Sequence, residues 1–288
     1  MTPTPRAAHA AVIVTAIALT STWQPLQALR PACMEATRPE ISRDLEVDDC
    51  LLLDRRLIGR QPFVRPPLVI RQTMKREQFG TQSTGSAVWA SGIALSRYME
   101  LQGSEYWAGK RVVELGCGTG LASITAAELG ASVVATDGDA SVVALATENA
   151  DANLNAKTKR AALTTAVLRW GTPLPAGLLQ PDVVIGADLT YSRDAWPALA
   201  QTIRTLRAPV LLSVTERRAG EFAALRAFLD AARLRSTVVD SPMEHGYAAD
   251  NVRLLWIARP RDGEHCKFWV EEEAFGAAES TLGVQCQP

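Results

Sequence analysis

Apolar and polar positions change rhythm twice along this chain. Residues 7–29 hold no Lys, Arg, Asp or Glu, and Ala7–Leu19 is an apolar run behind Arg6. With the small Ala28 downstream, that pattern suits a cleaved presequence; an unstructured or loosely helical extension and a short anchor are the alternatives. Residues 1–40 are therefore set apart from the fold. From about residue 41 short β-like pieces take over. Asp49–Arg60 and Pro67–Thr73, broken by Pro and Gly, predict a small hairpin. Ser83, Thr84 and Ser86 can cap the amphipathic stretch Ala87–Leu101, where Val88, Ala94, Leu95, Tyr98 and Met99 share a helical face.

Beyond it, strand and helix patterns alternate. Strands are predicted at Lys110–Leu115, Ala131–Thr136, Ala162–Leu168, Asp182–Ala187 and Val210–Val214. Helices are predicted at Leu121–Leu129, Ala140–Leu154, Ala195–Leu206 and Gly220–Ala232, the last with Phe222, Leu225, Phe228 and Leu229 inward. Asp194 is expected to start the third of these, with Pro197 tolerated in its first turn. Thr237–Val239 and Asn251–Ala258 follow as strands with no helical pattern between them. The fold class is α/β: a doubly wound, mostly parallel seven-stranded sheet, with one antiparallel strand at its end. One domain is expected over 41–260, with the hairpin region at 41–85 and the layered core at 86–260. Residues 261–288, with the acidic run Glu271–Glu273, read as an irregular tail.

Composition narrows what such a domain can do. The 288 residues carry 30 Lys+Arg against 31 Asp+Glu, a formal charge of −1, and are 47% hydrophobic. That fills a sizeable core and leaves no overall field to hold nucleic acid or an anionic membrane. The basic groups at Lys159-Arg160, Arg217-Arg218, Arg233 and Arg235 lack aromatic interleaving and read as solvated faces. Five Cys form no CxxC pair and three His form no HxxxH pair, so neither a metal site nor a disulfide framework is expected.

The informative chemistry is a glycine turn, Gly116-Cys117-Gly118-Thr119-Gly120, set between a strand and a helix. Glycines let a backbone turn sharply beside a ligand, and the helix behind presents free N–H groups. A dinucleotide fingerprint would need Gly at 121, which is Leu, and the lysine of a P-loop is absent. The next strand runs into Asp137, where a carboxylate can accept both hydroxyls of an unphosphorylated ribose. The bland alternative is that Asp137 opens a turn with Gly138 and Asp139.

VVELGCGTGL at 112–121 followed by VVATDGD at 133–139 resembles the adenosylmethionine-binding core of seven-β-strand methyltransferases. TGSAVWASGIALSRYM (84–99), RWG (169–171) and GADLTYS (186–192) sharpen the likeness to the protein-lysine methyltransferases of the methyltransferase-like 21 type. The resemblance implies a Rossmann-like fold, S-adenosyl-L-methionine as cofactor, a lysine of a protein as acceptor, and a monomer without metal or nucleic acid. It assigns cofactor contacts to Trp89, Glu114, Gly116, Cys117, Gly118, Asp137, Trp170 and Ala187. Asp188 and Tyr191, the ends of a DxxY motif, it assigns to the transfer itself. Arg169 departs from the polar acceptor usual before WG; it can face solvent or pair with Asp137 or Asp139. Asn149 and Asn153 read as a solvated helix face. For Trp89 a core position is the alternative, and for Asp188 a helix cap with Tyr191 packed beneath. Two other functions stay open: methylation of a protein histidine or small amine, and a non-catalytic cofactor-binding module. The family's cytosolic setting conflicts with the 7–29 segment.

Overall fold

A computed structural model describes residues 50–53, 68–72, 84–155, 162–175, 178, 180–239, 251–258, 265–271 and 281–287. The 1–40 segment with its candidate presequence, Ser83, and the Lys159-Arg160 pair lie outside these residues. Among the described residues no helix is long and apolar enough to cross a membrane.

Strands β1 (Cys50–Leu53) and β2 (Leu68–Arg71) pair antiparallel, as the Pro- and Gly-broken runs suggest. Helix α1 (Ala90–Trp107) follows, then β3 (Arg111–Leu115), α2 (Leu121–Glu128), β4 (Ser132–Asp137), α3 (Ala140–Asn153) and β5 (Leu163–Val167). The chain then crosses over to β6 (Val183–Ala187), α4 (Trp196–Leu206), β7 (Val210–Thr215), α5 (Glu221–Ala231), β8 (Arg235–Val238) and β9 (Val252–Ala258). The seven-stranded sheet has the order β5-β4-β3-β6-β7-β9-β8. Its first five members are parallel, and β9 is the expected antiparallel strand, paired with both β7 and β8.

Each face is covered by helices, because parallel strands such as VVIGA are apolar on both sides. Leu95, Met99 and Trp107 of α1, Ile124 of α2 and Ala150 of α3 join one core. Trp196, Leu199 and Ile203 of α4 with Leu225 and Leu229 of α5 join the other, with Phe222 and Phe228 partly buried against it. Each fully buried Leu or Ile contributes about 1.5–3 kcal/mol, so the layers hold by apolar burial.

Four expectations need correction. Helix α1 runs on past Gly103, whose φ of 76° kinks it, to Trp107, a fully buried side chain. Thr84 and Ser86 do not cap α1, and Asp194 does not cap α4. Each belongs to a 3-10 turn ahead of its helix, and the N-cap positions, Trp89 and Ala195, make no side-chain cap bond. The tail is not irregular: β10 (His265–Glu271) and β11 (Thr281–Gln287) pair antiparallel, with Cys266 opposite Cys286. Phe268, Trp269 and Val270 of β10 are the aromatic and β-branched residues that favour a strand.

The fourth concerns Asn149 and Asn153, which form a clamp instead of a solvated face. Asn149 is 1% exposed. Its Oδ1 accepts from the Arg71 N–H at 2.8 Å, and its Nδ2 donates to the carbonyls of Arg71 and Thr119. Asn153 does the same for the N–H and C=O of Val69, at 2.9 and 2.8 Å. Four helical residues rise about 6 Å and two strand residues about 6.6 Å, so an i,i+4 pair matches alternate backbone groups of a strand. The amides of α3 thus stand in for a strand beside β2.

Candidate active site

The glycine turn leaves β3 at the point where the chain first reverses its direction across the sheet. Successive units build outward from β3 through β4 to β5, and then start again at β6 on the other side. A crevice opens at such a switch point, beyond the carboxyl ends of the strands. A cavity of about 1020 Å³ occupies it. All ten residues assigned from the sequence line that cavity: Trp89, Glu114, Gly116, Cys117, Gly118, Asp137, Trp170, Ala187, Asp188 and Tyr191.

Two glycines are required here. At Gly116, φ is +62° and a Cβ would stand 2.6 Å from Leu189 Cδ2 and 3.4 Å from Trp170 Cζ2. At Gly118, φ is +53° and a Cβ would meet the Gly85 carbonyl oxygen at 3.0 Å. Both backbone angles lie where a side chain is strained. The turn is tied to the next strand by the Cys117 N–H, which donates to the Thr136 carbonyl at 2.8 Å.

Asp137 closes β4 beside it. Its carboxylate accepts from the Gly118 N–H at 3.2 Å and the Asp139 N–H at 3.1 Å. Burial pushes its pKa up, and the N–H groups of Asp139, Gly118 and Gly138 offset part of that. The capping work falls to Asp139, whose Oδ1 accepts from the Ser141 N–H and hydroxyl at 2.8 and 2.7 Å at the start of α3. Those bonds hold the Asp139 pKa down, with a smaller contribution from exposed Arg169. Arg169 itself faces solvent.

Glu114, the fourth residue of β3, is buried and takes a bond from the Ser123 hydroxyl of α2. Burial pushes its pKa to about 8, against the opposing Ser123 bond. Burial likewise raises the Cys117 thiol, so that side chain packs as a neutral group. Trp89 is 45% exposed and donates its Nε1 hydrogen to the Thr84 carbonyl at 2.9 Å, so it walls the cavity and is not a core residue. Trp170 is half-buried below the turn.

Beyond β6, Asp188 has φ +58° and donates its N–H to the Ser213 carbonyl at 2.8 Å. It does not cap α4, which starts at Trp196 after a turn of its own. Tyr191 is 54% exposed, and its hydroxyl accepts from the Thr84 hydroxyl at 3.3 Å across the cavity mouth. Leu189, unassigned from the sequence, is the wedge that glycines 116 and 186 admit; a Cβ at either would stand 2.6 Å from it. Arg217 also went unassigned. It makes a two-pronged ion pair with Asp188, so it belongs to the site and not to a solvated face.

The residues present fit S-adenosyl-L-methionine. The glycines leave space that a Cβ would fill, and buried Glu114 and half-buried Asp137 line the same cavity with Trp89 and Trp170. A carboxylate suits hydroxyls or an ammonium, and aromatic faces suit an adenine and a sulfonium.

Fold and crevice together define an α/β domain of the seven-stranded methyltransferase class. The chain belongs to the lysine methyltransferase family, whose family model, described as lysine methyltransferase, matches residues 70–230. It is 38% identical over 124 residues to protein N-lysine methyltransferase METTL21A of Danio rerio, covering 42% of this chain and 55% of that one. To METTL21A of Mus musculus it is 34% identical over 153 residues, 51% of this chain and 68% of that one. EEF1A lysine methyltransferase 3 of Mus musculus is 32% identical over 135 residues, with coverage of 46% and 56%. The chain thus spans about half to two thirds of these curated relatives. Among solved structures it resembles the methyltransferase domain of bacterial CtHen1, with TM-score 0.48, 11% identity, and coverage of 59% of this chain and 98% of that one.

Proposed function

We propose that the chain moves a methyl group from S-adenosyl-L-methionine to the side-chain amine of a lysine in a protein substrate. One observation carries the reading: a single cavity joins the glycine turn and Asp137 to Asp188 and Tyr191. When bound, S-adenosyl-L-methionine supplies a methyl on a sulfonium, which an amine lone pair attacks in line. The chain's own residues must hold the two ends and deliver that lone pair. Asp137 accepts the ribose hydroxyls, Trp170 packs against the adenine, and Glu114 receives the amino-acid end. A lysine amine has a pKa of ~10.4, so its neutral form costs about 4–5 kcal/mol at pH 7. Trp89, Ala187 and Leu189, which line the cavity with Asp188, favour that form by desolvating the ammonium. Asp188 and the Tyr191 hydroxyl can each accept an amine N–H, which leaves the lone pair directed into the cavity.

Purified chain, isotope-labelled S-adenosyl-L-methionine and a cell extract provide the test, read by digestion and mass spectrometry. The expected product is a methylated lysine in a protein. Label confined to a non-protein fraction, or to histidine, overturns the lysine assignment.

A further inference from the structure

Arg217 reaches the cavity from the segment between β7 and α5. Its Nη1 donates to Asp188 Oδ1 at 2.9 Å and its Nη2 to Oδ2 at 2.5 Å. The guanidinium carbon lies 5.7 Å from the centre of the Trp89 ring, within range of a cation–π contact. The Asp188 side chain is 6% exposed and that of Arg217 35%. Neither partner is loosely held. The N–H groups of Arg217 and Arg218 both donate to Glu221 Oε2, at 3.0 and 3.3 Å. Glu216 Oε1 accepts from the N–H groups of Gly220 and Phe222, at 3.1 and 3.4 Å. The segment is thus folded onto the first turn of α5, and Asp188 is fixed by its own backbone bond to Ser213.

A bare, buried carboxylate at the acceptor end would attract a lysine as its ammonium, the form that cannot react. A carboxylate already matched by a guanidinium offers no net charge. It still has lone pairs to spare: about four acceptor sites, of which the fork uses two. We infer that Arg217 is a positioning residue that neutralises Asp188, so that the acceptor amine sits in the site as its free base. This rests on the methyl-transfer reading. Other groups face the pair too: Tyr191 from the segment after β6 and Glu221 from α5. Glu114, Asp137, Asp139 and Arg169 line the same cavity from β3, β4 and the turns beyond. None of them replaces the fork, which takes both oxygens of Asp188.

The test uses n-butylammonium, a lysine side chain without its backbone, titrated at pH 7 and constant ionic strength and followed by ligand-observed NMR. R217Q should bind it at least tenfold more tightly than the wild type, and the added change D188N should abolish the gain. Equal affinity in wild type and R217Q overturns the inference. R217K keeps the cation, and with it the fold should R217Q lose it; its n-butylammonium affinity should stay near wild type, and a tenfold gain also overturns the inference. In the transfer reaction, the acid limb of the kcat/KM profile should move up by a pH unit or more in R217Q and stay in place in R217K. A rate lowered equally at every pH marks a merely structural role and overturns it as well. S-adenosylhomocysteine titrations run alongside separate the two ideas. Failure of wild type to bind it sinks the methyl-transfer reading, while the amine titration still decides what Arg217 does to Asp188.

Discussion

The carboxyls of the cavity differ in what surrounds them, and that difference sets what each substitution should do. Asp137 has backbone N–H partners and oxygen capacity to spare, so Asp137→Ala should weaken S-adenosylhomocysteine binding at least tenfold, about 1.4 kcal/mol, in calorimetry. Asp188→Asn should leave that affinity within about twofold and abolish methyl transfer; unchanged transfer would remove Asp188 from the reaction. Glu114 reports through pH. Its pKa rises from the ordinary 4.5 unfolded to about 8 folded, so between those values the folded chain binds the extra proton. This contribution is complete below about pH 4.5, fades as pH rises and is gone above about 8. Urea unfolding of ligand-free protein at pH 5 and pH 8 should show a smaller pH difference in Glu114→Gln than in wild type. Most of these residues were legible because they sit at strand ends in a motif. Arg217 was not, since a partner 29 residues away leaves no local pattern, and a basic pair after a strand looks the same whether solvated or aimed inward.

At the scale of elements, period carried the reading. Short Val-rich runs, continuous in apolar character in the Asp182–Ala187 stretch, gave the parallel strands, and helical spacing gave the layers that cover them. The spacing of Asn149 and Asn153 was ambiguous for a physical reason: i,i+4 polar residues serve a wet face and a backbone clamp equally well. What distinguishes them is β2, which lies 78 residues before Asn149 in the sequence. Asn149→Ala should cost about 2–4 kcal/mol in urea unfolding, because it strips an N–H and two carbonyls of their partner. A cost below about 1 kcal/mol would mean that solvent replaces those bonds. The wedge of Leu189 was invisible for the converse reason. Its need for glycines 116 and 186 appears only when β3 and β6, whose first residues are 72 positions apart in the sequence, lie side by side.

For the whole molecule, the switch in strand order does the organising. It places the ends of β3, β4 and β6 around one cavity, so a ligand there bridges both halves of the sheet. S-adenosylhomocysteine at a hundred times its dissociation constant should add about 2.7 kcal/mol. For a domain of this size that is a rise in Tm of about 5–10 °C by scanning calorimetry, and a tenfold weaker Asp137→Ala should forfeit about half of it at the same concentration. No rise in the wild type would exclude the cavity as the binding place. The antiparallel strand was readable in advance because two strands without a helix between them demand an antiparallel return; the order of the strands was not. The β10–β11 pairing was not legible because its apolar core, Phe268-Trp269-Val270, is three residues long and runs straight into the acidic Glu271–Glu273.

Asn149 grips the Arg71 N–H with its oxygen while its nitrogen holds the Thr119 carbonyl in the glycine turn. Anything that stiffens the turn is therefore felt along the outer hairpin. The deuterium uptake of a single amide at Arg71, which touches no occupant of the cavity, becomes a remote gauge of whether the cavity is filled.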